Sequence, residues 1–247
     1  TANSDAIGVL RLLEAVKSAN LINKSKIYQA STSELYGKAR ETPQNENTPF
    51  YPRSPYGVSK LFSHWMTINY RESYDLFAVS GILFNHESPL RGRQFVTRKI
   101  VSHFVRRSLG LVSEPLRLGN IEARRDWGHA KDYVRGMNLM LDQSEADDYI
   151  LATNNTHSIR DFVEKVAVKL DFRIEWNGKG LNEIGLNSIT GDTWVLVDEK
   201  FYRPCEVDLL VGDSSKAEQK LGWTREFDLD SLINDMVEQE LSCFQPV

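Results

Sequence analysis

Cysteine is scarce: only Cys205 and Cys243 occur in 247 residues, far apart and in no metal-ligand spacing. That argues against a disulfide scaffold and against a thiolate metal centre, and reads as two reduced thiols in a cytoplasmic protein. No run of about 18 uncharged apolar residues is present, so no membrane-spanning helix is expected. Positive charge is not in excess. The 30 Lys and Arg face 34 Asp and Glu, a net charge of −4, which argues against non-specific nucleic-acid binding while leaving room for a local basic pocket. No basic stretch precedes an apolar one at the start, so a signal peptide is not expected either. Position 1 is Thr, not Met, and Thr1-Ala2-Asn3-Ser4-Asp5 runs directly into a helical pattern; the chain reads as one entered partway. Internal repeats and low-complexity segments are also missing.

What is present is an ordinary globular balance, 41% apolar and 26% charged, in a length that can bury a substantial core without metals or disulfides. Apolar spacing predicts a helix over 5–19, and Lys26–Ala30 reads as a short strand ended by Ser31-Thr32-Ser33. Residues 37–55 hold four prolines and read as a long loop, a feature that in a folded domain is usually functional or disordered. A helix is expected over 56–72, a buried strand over 76–84, and a helix over 95–109 with Gly110 as its cap. Further on, 132–141 reads as helix and 149–152 as strand. Ser158 is a candidate N-cap for a helix over 158–170. Strands over 174–176 and 194–197 flank a Gly- and Asn-rich loop. Ser215 and Glu218 have capping-box spacing, and 228–241 reads as the final helix. Strands alternating with helices imply an α/β fold with parallel strands.

The strongest chemical signal is Tyr56-Gly57-Val58-Ser59-Lys60. Residues four apart share a helix face, so the Lys60 ammonium can stand near the Tyr56 phenol and stabilise its phenolate. That would make Tyr56 an acid/base near neutral pH. The spacing alone is common on solvated helices. Upstream, Ser31-Thr32-Ser33-Glu34 follows a strand, and in open parallel sheets ligands bind beyond the carboxyl ends of strands. Thr32, Glu34, Tyr56 and Lys60 together form a polar set suited to proton transfer. Simple strand-end capping by 31–33 and a solvated Glu34 are the alternatives.

Here the segments Tyr28-Gln29-Ala30-Ser31-Thr32-Ser33-Glu34-Leu35-Tyr36-Gly37, Pro52-Arg53-Ser54-Pro55-Tyr56-Gly57, Gly81–Pro89, Phe95–Ile100, Arg125–Tyr133 and Tyr202-Arg203-Pro204-Cys205-Glu206-Val207-Asp208 come together. In them the chain resembles, over nearly its whole length, the GDP-mannose 4,6-dehydratase family of extended short-chain dehydrogenases. The Ser-Thr-Ser-Glu run points to a dehydratase, since related epimerases generally lack the Glu and other dehydratases commonly carry Asp-Glu. His-Glu-Ser-Pro and Arg-Asp-Trp-Gly-His-Ala narrow it to the GDP-mannose group. Leu90 stands where close relatives often carry Arg.

The resemblance implies a Rossmann-like doubly wound parallel sheet, incomplete at its N-terminus, with a smaller C-terminal substrate-binding α/β region. It implies a nucleotide-binding part over 1–86 and a substrate-binding part over 87–247, with about 126–155 returning to the first. Tyr56 would take the sugar 4-hydroxyl proton as hydride leaves C4 for NADP (NAD being the less favoured cofactor). Glu34 would take the C5 proton and assist loss of the C6 hydroxyl as water, after which hydride returns to C6. Thr32 would hold the oxygen at C4, and Lys60 would tune Tyr56 and bind the nicotinamide ribose. His86 and Arg91 match cofactor-contacting positions. Asn85, Lys99, Arg125, Arg203 and Glu206 match positions that hold GDP-mannose, where a diphosphate suits arginine forks. No metal is implied. Trp127 and His129 are left as core packing or a helix entry. A homodimer or homotetramer is expected, with the helices over 5–19 and 56–72 as candidate faces. The family's opening glycine-rich, pyrophosphate-binding element has no counterpart here, so this chain alone is expected to lack most of the cofactor site and not to bind NADP measurably. A dehydratase or epimerase for another nucleotide sugar, and a non-catalytic nucleotide-sugar-binding homologue, are the competing readings.

Overall fold

A computed structural model describes residues 1–202 and 209–244. After a π-helical stretch at Ala2–Ile7, the described residues form, in chain order, α1 (Gly8–Ser18), β1 (Lys26–Ala30), α2 (Pro55–Tyr74), β2 (Phe77–Leu83), β3 (Asn85–Glu87), α3 (Val96–Ser108), β4 (Leu116–Leu118), β5 (Arg124–Arg125), β6 (Trp127–His129), α4 (Ala130–Leu141), β7 (Asp148–Leu151), β8 (His157–Ser158), α5 (Ile159–Lys169), β9 (Ile174–Asn177), β10 (Ile184–Asn187), β11 (Thr193–Val197), α6 (Ser215–Leu221) and α7 (Leu229–Ser242). They divide into two units.

The first unit comprises Thr1–His86, Asp126–Thr156 and Leu209–Glu226. Its sheet has the order β1-β2-β7 with every pairing parallel. Strand β2 is apolar almost throughout and buried from Ala78 onward, the pattern of a central strand covered on both faces. Leu13, Tyr70, Leu76 and Ala78 form the core toward α1 and α2. Val79, Leu83, Tyr133, Met140, Leu151 and Trp223 form the other face, beneath α4 and α6. Helix α2 starts where the sequence supplies both signals for a start: Ser54 accepts the Gly57 N–H at 3.0 Å, and Pro55 takes the first helical position.

The segment 209–226, which the sequence reading left in the 87–247 region, packs with the first unit. The backbone of Gln44 exchanges hydrogen bonds with Val211 and Asp213 at 2.8 Å each, and the fully buried Trp223 donates its indole N–H to Asp132 O at 2.8 Å. Asp126, 2% exposed, accepts both the N–H and the hydroxyl of Thr153, at 2.8 and 2.7 Å. Burial pushes its carboxyl up to about 6 against these bonds. The expected capping box of Ser215 and Glu218 is not formed. Ser215 is already helical and its N–H is taken by Asp213 Oδ1 at 2.9 Å, while Glu218 accepts from the Ser214 hydroxyl at 2.7 Å. His129 caps α4 through Nδ1, which accepts from Lys131 N at 3.1 Å.

The second unit comprises Glu87–Arg125, His157–Asp208 and Phe227–Val247. Its sheet has the order β4-β11-β10-β9, antiparallel except for the parallel β4–β11 pair. Strand β10 lies inside the segment read from sequence as a Gly- and Asn-rich loop. Ser158 caps α5 in a reciprocal box with Asp161. Helices α3 and α7 are pinned by a buried pair, Arg98 and Glu240, with Ser102 donating to Glu240 at 2.8 Å.

Candidate active site

Strands β1 and β2 are parallel, so Ser31–Glu34 and Asn85–His86 leave the sheet at the same, carboxyl, edge. Thr32 is buried and caps the short turn Ser33–Leu35, its Oγ1 accepting the Glu34 N–H at 3.2 Å. A hydroxyl that accepts one bond still has its own proton to donate. Glu34 is half-buried.

Helix α2 brings the Tyr-x-x-x-Lys motif to this edge. Lys60 Nζ donates to Ala30 O, the last carbonyl of β1, at 2.9 Å, and lies 5.9 Å from the centre of the Tyr56 ring. Burial lowers the Lys60 pKa from the ordinary lysine value, and the Asp5 carboxylate partly offsets this. Tyr56 is 40% exposed. Gly57 permits the close approach: a Cβ there would lie 2.9 Å from Glu34 O and 3.0 Å from Pro52 Cβ. Buried His64 sits with Nδ1 3.4 Å from Ser31 Oγ and its ring edge-on to Phe50 at 5.2 Å. Burial lowers its pKa. Neither Gly57 nor His64 was singled out in the sequence, because their roles depend on which strand α2 packs against.

Asn85 is half-buried at the start of β3. His86 stacks on Tyr133 at 4.9 Å and bonds Phe84 O through Nδ1 at 2.9 Å. A carbonyl only accepts, so Nδ1 carries the proton. Thr32, Glu34, Tyr56, Lys60, Asn85 and His86 thus belong to the first unit, whereas Arg91, Lys99 and Arg125 belong to the second. Arg91 lies over the Phe95 ring. Lys99 Nζ donates to Arg117 O at 2.6 Å and stands 4.1 Å over the Phe201 ring. Burial lowers its pKa, and Asp198 opposes that shift. Arg125 lies in β5, paired with His157 of β8. Arg203 and Glu206 lie outside the described residues.

An open cavity of about 1060 Å³ in the second unit runs between α5 and α7 past Asp161, Lys165, Lys169 and Asp230. None of the expected site residues lines it, and its cations are paired, Lys165 with Asp230 and Lys169 with Glu238. Among the described residues no His, Cys, Asp and Glu side chains are grouped to hold a metal ion, and no helix is long and apolar enough to cross a membrane.

A parallel sheet covered by helices on both faces, with ligand-facing groups at its carboxyl edge, defines a Rossmann-type α/β fold. Solved structures share it: RMD from Pseudomonas aeruginosa complexed with NADPH, at a TM-score of 0.80 and 20% identity over 96% of this chain and 73% of that one, and dTDP-glucose 4,6-dehydratase from Bacillus anthracis in complex with NAD, at 0.76 and 21% over 96% and 68%. The chain belongs to the GDP-mannose 4,6-dehydratase family, whose model matches residues 1–236. It is 55% identical over 241 residues to the GDP-mannose 4,6 dehydratases of Cricetulus griseus and Homo sapiens, covering 98% of this chain and 64% of each relative. To that of Sinorhizobium fredii it is 54% identical over 242 residues, 98% of this chain and 69% of the relative. The chain therefore spans somewhat less than two thirds of the first two relatives.

Proposed function

We propose that this chain carries the catalytic residues of a hydro-lyase that converts GDP-D-mannose to GDP-4-dehydro-6-deoxy-D-mannose, the first step of a GDP-fucose-type synthesis. The observation that carries the reading is the bond from Lys60 Nζ to Ala30 O at 2.9 Å. It ties the helix bearing Tyr56 to the strand end bearing Thr32 and Glu34, so that three proton-handling groups serve one small region. Tyr56, beside the Lys60 cation, takes the sugar 4-hydroxyl proton. Thr32 donates its remaining proton to the oxygen at C4. A ketone at C4 acidifies the C5 proton, and Glu34 removes it as the C6 hydroxyl departs as water. A carboxylate, a hydroxyl and a phenol together suit that elimination, in which one proton is taken and one is delivered.

Within the first unit the donors suit a nicotinamide dinucleotide: the Lys60 ammonium with donors to spare for a ribose, and His86 fixed in one tautomer; Arg91 is proposed as a further cofactor-binding cation. Bound there, NADP would supply a reversible hydride acceptor, so that no second redox substrate is consumed. Asn85, Lys99, Arg125, Arg203 and Glu206 are proposed to hold GDP-mannose, whose diphosphate suits cationic partners. The enzyme is proposed to work in the cytoplasm as a homodimer or homotetramer. The family match and the 55% identity to named GDP-mannose 4,6 dehydratases support this substrate over other nucleotide sugars. The test is mass spectrometry of the sugar nucleotides after incubation of the natural protein with GDP-mannose and NADP. A product lighter than substrate by one water supports the proposal; binding without turnover would favour the non-catalytic homologue.

A further inference from the structure

We propose that Glu87 is a positioning residue that holds the Arg91 guanidinium in the orientation in which it binds the cofactor. This rests on the reading of Arg91 as a cofactor-binding residue and extends it by naming what orients the cation. The Glu87 carboxylate, at the end of β3, is 2% exposed. Its Oε2 lies 3.1 Å from Arg91 Nε as an ion pair, and Thr97 Oγ1, in the first turn of α3, donates to the same oxygen at 2.6 Å. The central carbon of the guanidinium lies over the Phe95 ring, 3.5 Å from its centre. Arg91 is thus held along one edge by a carboxylate and across one face by an aromatic ring, yet keeps 28% of its side chain exposed. The Arg91 N–H bonds Ser88 O at 3.0 Å and the Phe95 N–H bonds Gly92 O at 3.1 Å, so the loop carrying the cation is itself closed into turns.

Packing alone does not call for this carboxylate. A buried ion pair is often no more stable than an apolar pair of the same shape, because both charges must leave water. Burial pushes the Glu87 carboxyl up, and the Arg91 cation and the Thr97 hydroxyl pull it back. What a charged brace, ion-paired to Arg91 and hydrogen-bonded by Thr97, does provide is orientation. A long side chain held before its ligand arrives loses less freedom on binding, and the affinity rises accordingly.

The test is titration of the natural protein with NADP, read by quenching of tryptophan fluorescence, for wild type, Glu87→Gln, Arg91→Ala and the double variant, with urea unfolding of each. Gln keeps the shape and can still accept from Thr97 but carries no charge. The expected result is a Kd for NADP raised about ten-fold by Glu87→Gln, little change in the urea midpoint, and a double variant no weaker than Arg91→Ala alone. Wild-type affinity in Glu87→Gln alongside a weakened Arg91→Ala would overturn the positioning role and leave the Arg91 reading standing. Effects that multiply in the double variant would also overturn it, since Glu87 would then act independently of Arg91. If Arg91→Ala binds NADP normally, the cofactor reading of Arg91 falls and the proposal with it. If Glu87→Gln does not fold, Glu87→Asp, which keeps the charge but shortens the reach, should show the same loss and the same non-additivity; wild-type affinity there would refute the proposal.

Discussion

Gly57→Ala separates the geometry of the site from the stability of the fold. The added methyl would lie 2.9 Å from Glu34 O and 3.0 Å from Pro52 Cβ. Both neighbours are fixed, one by the turn that Thr32 caps and one by a proline ring. Relief requires the start of α2 to move by roughly 0.5 Å to reach ordinary van der Waals spacing. Overpacking of this kind costs about 1–3 kcal/mol, whereas alanine in a helix gains up to about 1 kcal/mol over glycine. The net loss of stability should therefore be small, roughly 0–2 kcal/mol. Activity should suffer more, because the shift carries Tyr56 away from Thr32 and Glu34. Misplacement by about 1 Å can cost on the order of 100-fold, so a fall in kcat of about ten-fold or more is expected. Steady-state kinetics on the natural protein, paired with urea unfolding, checks both halves. Full activity in Gly57→Ala would mean that the close approach of α2 to the β1 end does not set the catalytic geometry.

The Asp126 carboxyl offers a pH test. Its folded pKa of about 6 stands above its ordinary value of 3.8, so its stability contribution is fully present below the ordinary value and lost as pH rises through about 6. A gap of about two pH units corresponds to roughly 3 kcal/mol. Asp126→Asn, which cannot ionise, should therefore gain on wild type by up to that amount between pH 4 and pH 7.5 in urea unfolding; an unchanged difference at the two pH values would refute the assignment. For substrate binding, Arg203→Lys should raise KM for GDP-mannose by losing the fork geometry of the guanidinium, and an unchanged KM would make Arg203 a surface cation.

Much of the frame was legible in the chain because its signals are local. Lys26–Ala30 reads as a strand to the residue, since polar Ser31-Thr32-Ser33 ends it sharply. Ser158 marks a helix start through backbone groups within three positions, whereas the Ser54-Pro55 start of α2 was placed one residue late, at Tyr56. Strand β10 was hidden because Gly185 sits at its centre, a residue that weakens a strand signal. It is there because a Cβ would press on Ile174 and Trp176, at 2.9 and 3.1 Å. The return of 209–226 to the first unit depends on Gln44, more than 160 positions away, and no periodicity encodes such a pairing. At the site, the helix period places Lys60 on the face of Tyr56. It says nothing of the Ala30 carbonyl that Lys60 reaches or of the Glu34 carbonyl that requires Gly57. The roles given to individual residues came from family resemblance; the spacing alone is shared with many solvated helices.

The central claim is a division of labour, with Tyr56 serving oxidation at C4 and Glu34 serving the later loss of water. It is tested most directly by single-turnover absorbance of the reduced nicotinamide in Glu34→Gln, with the sugars identified by mass. The account predicts that reduced cofactor and a 4-keto sugar accumulate while 6-deoxy product forms about 100-fold more slowly or worse, a typical loss for a positioned base, and that Tyr56→Phe abolishes both signals. Formation of 6-deoxy product at the wild-type rate in Glu34→Gln would contradict it.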